Sequence, residues 1–254
     1  MGGPVMKYAH GRRLSKNAVE AVRFVAKVGA MSRETWYELF SHGTLRWRQM
    51  QLQHLIDRKI FKHHTSKHGH DAVVIDTFGV ELIKSMKWQH VHTIYPHFIE
   101  HDETVGAGLW KLEIAGICQK WMTESEMKAQ KSASFRLDVQ EGGFKYPDAV
   151  FKLQGNLTAP IVAIEYERTA KTNWRYNKAI RAYSEAYDFG YVFFIVESDA
   201  IEKTIQRAMK YIGDGRLNSR IGFISIEDWK TNPVSAELRG PKSVQSLKEL
   251  VTKI

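Results

Sequence analysis

The sequence predicts an α/β protein in two parts, a basic unit of helices closed by a hairpin and then a mixed α/β domain. Three observations carry this. In the first 70 residues, apolar positions recur at helical spacing three times and give way to two strand-like runs around a turn. Beyond residue 100, helical and strand-like runs alternate, and "YVFFIVE" at 191–197 is continuous enough to be a strand covered on both faces. The charge also divides near residue 70: residues 1–70 hold 13 Lys and Arg against 4 Asp and Glu, while the rest of the chain holds 24 of each.

The elements of the first part follow in order. "SKNAVEAVRFVAKV" at 15–28 offers Ser15 as a cap, Ala18, Val22, Val25 and Ala26 on one face, and Gly29 as a stop. "SRETWYELF" at 32–40 reads as a short second helix, with Ser32 at its start and Glu34 in its first turn. "TLRWRQMQLQHLIDRKI" at 44–60 reads as a third, with Leu45, Leu52, Leu55 and Ile56 in one stripe. Strands at about 60–65 and 71–77 then flank a Ser-Lys-His-Gly turn, and a helix near 78–87 closes the unit. Three helices followed by a hairpin is the order of a winged helix-turn-helix, whose third helix enters the major groove while the wing touches the backbone. The expected DNA contacts are Arg46, Arg48, Gln49, Gln51 and Gln53 on that helix and Lys62 and Lys67 on the wing. A positive field confined to this segment suits double-stranded DNA as the partner. Helix-turn-helix units also serve as protein-docking modules.

The composition, 43% hydrophobic and 26% charged over 254 residues, is that of a globular protein. No apolar run has the length of a membrane span, so no membrane role is expected. "MGGPVMKYAHGRRL" has neither a signal-peptide core nor a myristoylation Ser/Thr. The single Cys118 excludes an internal disulfide framework and a Cys-based zinc finger. A cytoplasmic location is the expectation. The organisation expected is a winged-helix domain at 1–88, a connector at 89–100 and a second domain at 101–254.

In that second domain a helix is expected at about 101–116, then a strand at 117–122 and the polar "TESEMKAQK". Strands follow at about 135–140, 147–153 and 160–167, a helix at 172–187, and the strand at 191–197. A helix at 199–212, a strand at 220–226 and a late helix in "SVQSLKELVTKI" complete the reading, which is a sheet with helices on both faces.

The chemistry gathers at "YPDAVF" (146–151) and "PIVAIEYERTAK" (160–171). Alternation along a strand puts Glu165 and Glu167 on one face. If the run after Asp148 pairs with theirs, Asp148 comes beside Glu165. Adjacent carboxylates repel unless a cation lies between them. Mg²⁺ is held by one or two carboxylates and retains positions for a phosphate substrate, and a nearby lysine can orient the attacking water. Metal-assisted phosphodiester cleavage is one reading. An ion-pair network of Glu167 with Arg168, Lys171 and Arg175 is the other.

The segment "YPDAVF…VAIEYERTAKTNWRYNKAIRAY" resembles the PD-(D/E)xK nuclease superfamily, and more closely the plasmid replication-relaxation family and the MobC-type mobilisation relaxases. The resemblance is specific over about 146–183 and, counting domain order, covers most of 10–200. It implies a restriction-endonuclease-like core behind the winged helix and a Mg²⁺- or Mn²⁺-dependent endonuclease that nicks DNA in a mobile element. It implies that Asp148 and Glu165 bind the metal. Glu167 stands where the superfamily usually has Lys, so Lys171, or second Lys178, is expected to supply the amine. Glu103, Glu113 or Glu126 is expected as an additional acid. A DNA-binding accessory protein or repressor that keeps the fold without cleavage is the alternative.

Two further signals stand apart. His63, His64, His68 and His70 cluster on the wing and offer a zinc site, although their spacing matches no closed ligand set. His90-Val91-His92 has the His-hydrophobe-His form of the tyrosine relaxases, for which Tyr95, Tyr176 or Tyr183 would be the nucleophile. Trp174, Arg175 and Arg181 could meet DNA, but Tyr176 and Tyr183 are expected to pack against the sheet. No Walker loop, GxGxxG or GxSxG occurs.

Overall fold

In the computed structural model, the described residues are 14–65, 71–91, 98–139, 143–154, 160–240 and 246–252. The fold is mixed α/β, and the chain divides into two compact units, Met1–Glu103 and Thr104–Ile254.

In the first unit, α1 (Lys16–Val28) starts where the Ser15 hydroxyl accepts the Ala18 N–H, and ends at Gly29, whose φ of 99° is open to glycine at little cost. Ala18, Val22, Val25 and Ala26 are buried as the spacing predicts. β1 (Met31–Ser32) leads into α2 (Arg33–Thr35), which the Ser32 hydroxyl caps by accepting the Thr35 N–H. A π-helical turn, Trp36–Phe40, continues it. α3 (Leu45–Asp57) is capped by Thr44 and buries Leu52 and Leu55. Leu45 departs from the predicted stripe: at the first turn it is 59% exposed, with Trp47 and Met50 also exposed. β2 (Phe61–Thr65) and β3 (Asp71–Ile75) form the predicted hairpin, and α4 (Thr77–Ser85) follows. The sheet gains a strand that the sequence did not suggest, because two-residue β1 pairs with β3 through Met31↔Val73 and Ser32↔Ala72.

The second unit is a five-stranded sheet in the order β10-β9-β8-β7-β4. Its elements are α5 (Ile99–Ile114, whose first five residues belong to the first unit), β4 (Cys118–Thr123), α6 (Glu124–Ala129), the short pair β5 (Leu137–Val139) and β6 (Gly143–Lys145), β7 (Ala149–Leu153), β8 (Ile161–Glu167), α7 (Asn173–Glu185), β9 (Phe189–Val196), α8 (Asp199–Ile212), α9 (Gly215–Asn218), β10 (Ile221–Ser225), α10 (Ile226–Thr231) and α11 (Leu247–Thr252). β4, β7 and β8 run antiparallel in turn, while β8, β9 and β10 are parallel. α6, β6, α9 and α10 were not predicted, and all are six residues or shorter, too short for periodicity to register.

Register sorts the side chains. Val150, Ala163, Val192 and Ile221 lie abreast on one face, which packs on Tyr176, Ile180 and Tyr183 of α7 and on Ile201, Ile205 and Ala208 of α8. Trp121, Phe151 and Val162 lie abreast on the other. There the Trp229 indole donates to the Thr104 carbonyl and its ring fills the space beside Gly108, where a Cβ would come within 2.1 Å of it. The sheet is thus covered on both faces, as the apolar run at 191–197 required.

Candidate functional site

The first unit presents a polar and cationic surface on α3 and β2. Arg46, Gln49 and Lys62 are exposed there. The Arg48 guanidinium donates to the carbonyls of Gly43 (2.9 Å) and Tyr37 (3.2 Å) and so braces the turn ahead of α3. The Gln53 amide donates to Asp57 one turn later, at 2.8 Å. Gln51 is half-buried. Lys67, His68 and His70 lie outside the described residues, as do His92 and Tyr95, while His63 lies 3.7 Å from Asp71.

The acids of the second unit converge. Ala149 pairs with Ile164, so the next residues outward, Asp148 and Glu165, are neighbours across the β7–β8 edge. β8 outlasts β7 at this end, beyond the last β7 pairing at Ala149↔Ile164. There Asp148 Oδ2 accepts the Tyr166 N–H at 2.6 Å. Tyr166 itself points to the other face, and its hydroxyl bonds Glu197. Glu165 and Glu167 are buried, at 3% and 4% exposure, on the face that meets α7.

Buried carboxylates cost free energy unless they are paired and hydrogen-bonded. Glu165 Oε1 lies 2.5 Å from Lys145 Nζ and also accepts the Tyr183 hydroxyl at 2.5 Å. Glu167 Oε1 lies 2.7 Å from Lys171 Nζ, and its Oε2 accepts the Tyr176 hydroxyl at 3.4 Å. Burial pushes Glu167 above the ordinary carboxylate range, Lys171 opposes that, and the charges of Glu165 and Asp148 reinforce it. On Lys171 the pull of Glu167, Glu165 and Asp148 outweighs burial, so its ammonium is held more firmly. Burial, with the negative charge of Glu165, lifts Tyr183 well above its usual value; burial also pushes Tyr176 up to about 12.

Of the two lysines expected to supply the amine, Lys171 is the one placed on the acids. Lys178 lies instead 4.3 Å over the ring of the exposed Trp174. Of the ion-pair network, the Glu167–Lys171 pair closes on a buried carboxylate, and Arg168 and Arg175 are exposed. Among the three upstream acids, Glu103 belongs to the first unit and accepts the Ser32 N–H at 2.5 Å. Glu113 accepts the Trp121 indole N–H at 2.6 Å, on the face of the sheet opposite Glu165. Glu126 is at the right end, because Thr123 abuts Ala149 and the Glu124 N–H donates to the Asp148 carbonyl. One of its oxygens accepts the Thr123 N–H in a capping box.

Sequence reasoning missed Lys145 and the two tyrosine hydroxyls. Tyr176, Ile180 and Tyr183 share one helix face, and a buried tyrosine needs a partner for its hydroxyl, so that signal was present. Lys145 gave none, because its approach to Glu165, 20 residues on, depends on strand pairing that spacing does not reveal.

Two carboxylates from adjacent strands are an all-oxygen donor pair of the kind Mg²⁺ accepts, so Asp148 and Glu165 fit a divalent ion by chemistry. Among the described residues no group of three or more His, Cys, Asp and Glu is arranged to hold a metal. No helix among them is long and apolar enough to cross a membrane. No protein-family model, curated protein or solved structure matches this chain.

Proposed function

We propose that this protein is a DNA-binding, metal-dependent endonuclease that nicks duplex DNA, with a winged helix ahead of a PD-(D/E)xK-like core, of the kind that serves plasmid mobilisation or replication-relaxation. The observation that carries the reading is the meeting of Asp148, Glu165 and Glu167, with Lys171, at one end of β7 and β8. Asp148 and Glu165 would hold Mg²⁺ or Mn²⁺. Bound there, the ion supplies Lewis-acid polarisation of a phosphodiester. The chain's own groups do the rest. Lys171 Nζ holds Glu167 Oε1 in place and keeps positive charge where the phosphate's negative charge develops. The Tyr183 hydroxyl fixes the rotamer of Glu165. Glu167, with its raised proton affinity, is the group able to hold a proton at the site. Arg46, Gln49 and Lys62 would meet the DNA backbone and base edges.

A DNA-binding accessory or repressor that does not cleave is favoured by one observation, that lysines already neutralise both glutamates within the protein. The tyrosine-relaxase reading has less support. Tyr176 and Tyr183 are buried, donate their hydroxyls to carboxylates, and are harder to deprotonate than a free phenol. Incubation with supercoiled plasmid carrying the cognate site separates the readings. Nicked circles with Mg²⁺ or Mn²⁺, and none with EDTA, are expected; uncut plasmid with both metals would leave the accessory reading.

A further inference from the structure

We infer that Lys145 is a built-in rival of the divalent ion for Glu165 and sets how tightly the site takes one. The inference rests on the nuclease reading above. Lys145 ends β6 and pairs with the buried Leu137 of β5, so its position is fixed by a hairpin remote in sequence from β8. Its Nζ lies 2.5 Å from Glu165 Oε1 and 5.7 Å from the centre of the Tyr183 ring. That same oxygen accepts the Tyr183 hydroxyl, so two donors converge on it. Three residues after Lys145, Asp148, the second proposed ligand, directly precedes β7 and lies beside Glu165. An ion approaching Glu165 therefore meets an ammonium already in contact with its ligand. It must displace that charge to take Glu165, because in a partly buried site the repulsion is weakly screened. Lys171 stands four residues from Glu167 and follows it locally, whereas Lys145 acts on the metal ligand from outside that segment.

The test is calorimetric titration of the full chain with Mn²⁺. Lys145→Gln keeps a hydrogen-bond donor and removes the charge. It should bind Mn²⁺ about tenfold tighter or more, the scale of removing one charge next to a partly buried ligand. Its melting temperature in EDTA should fall, since Glu165 loses its counter-charge. A Gln variant that binds Mn²⁺ no tighter than wild type overturns the inference and leaves the nuclease reading standing. If Mn²⁺ binds neither protein, both fall. Should the variant not fold, wild type suffices. Amine acetylation read by mass spectrometry should label Lys145 faster when Mn²⁺ is added, and unchanged labelling at saturating Mn²⁺ would also overturn the inference.

Discussion

The two units handle charge in opposite ways. On the DNA-facing elements proposed for the first, Arg46 and Lys62 stand exposed, and a local excess of cations extends over residues 1–70. Beyond residue 70 cations and acids are equal in number, and in the second unit Glu165 and Glu167 are buried against lysines and tyrosines. Exposed charges act at a distance and are screened by salt; buried ones act over a few ångströms and are scarcely screened. The first arrangement suits gripping a polyanion, and the second suits holding an ion or a proton in place. Each can be disturbed separately, and the expected effects differ in kind.

The largest effect should come from the acids. Asp148→Asn and Glu165→Gln keep size and strand packing but remove the charge proposed to hold the ion. Each should reduce metal-dependent nicking by about a hundredfold or more while leaving duplex affinity unchanged, as plasmid-relaxation and gel-shift assays would read. Nicking that survives Asp148→Asn would move the chemistry elsewhere.

Next in size is the grip. Arg46→Ala and Lys62→Ala should weaken duplex binding and flatten the dependence of log K on log salt by about 0.9 for each phosphate no longer neutralised. Fluorescence anisotropy across a salt series measures this. An unchanged slope would place the basic surface elsewhere than α3 and the hairpin.

Smaller effects test the buried pairs through stability. Tyr183→Phe strands Glu165 without its hydroxyl and should cost about 1.5–3 kcal/mol in urea unfolding. Lys171→Met should cost about 1 kcal/mol at pH 7.5, discounted because the lysine is 36% exposed. The pH dependence follows from Glu167. Its folded pKa is raised above 4.5, so its proton contributes stability at low pH that is lost as pH rises through the folded value. Lys171 offsets that loss only where Glu167 is ionised, so Lys171→Met should cost less at pH 4.5 than at pH 7.5. A loss that grows on acidification would contradict the assignment. Smallest of all, Thr44→Ala removes the cap of α3 and should cost the first unit about 1 kcal/mol, with no change in Mn²⁺ binding.

Local rules made much of the fold legible. Ser15 caps the helix it was expected to cap, Ser32 starts the second, and Gly29 stops α1. The alternation in "VAIEYE" put Glu165 and Glu167 on one face before any pairing was known. These features depend on backbone and side chains within four residues, so a short window contains their cause. Arg48 shows the limit: spacing placed it off the apolar stripe, but only the fold put two carbonyls within its reach.

By itself, then, the sequence determined the longer helices, the main strands, the segregated positive charge and the identity of the acidic cluster. The tertiary structure decided which groups satisfy those acids. Lys145 reaches Glu165 from 20 residues away, Tyr183 from 18 and the Tyr166 N–H reaches Asp148 from 18, each through a register or a packed helix face. The same long-range pairing excluded Glu113, by setting Trp121 on the opposite face of the sheet. A buried charge takes its counter-charge from whatever the fold brings within about 3 Å, and sequence spacing carries no information about that distance.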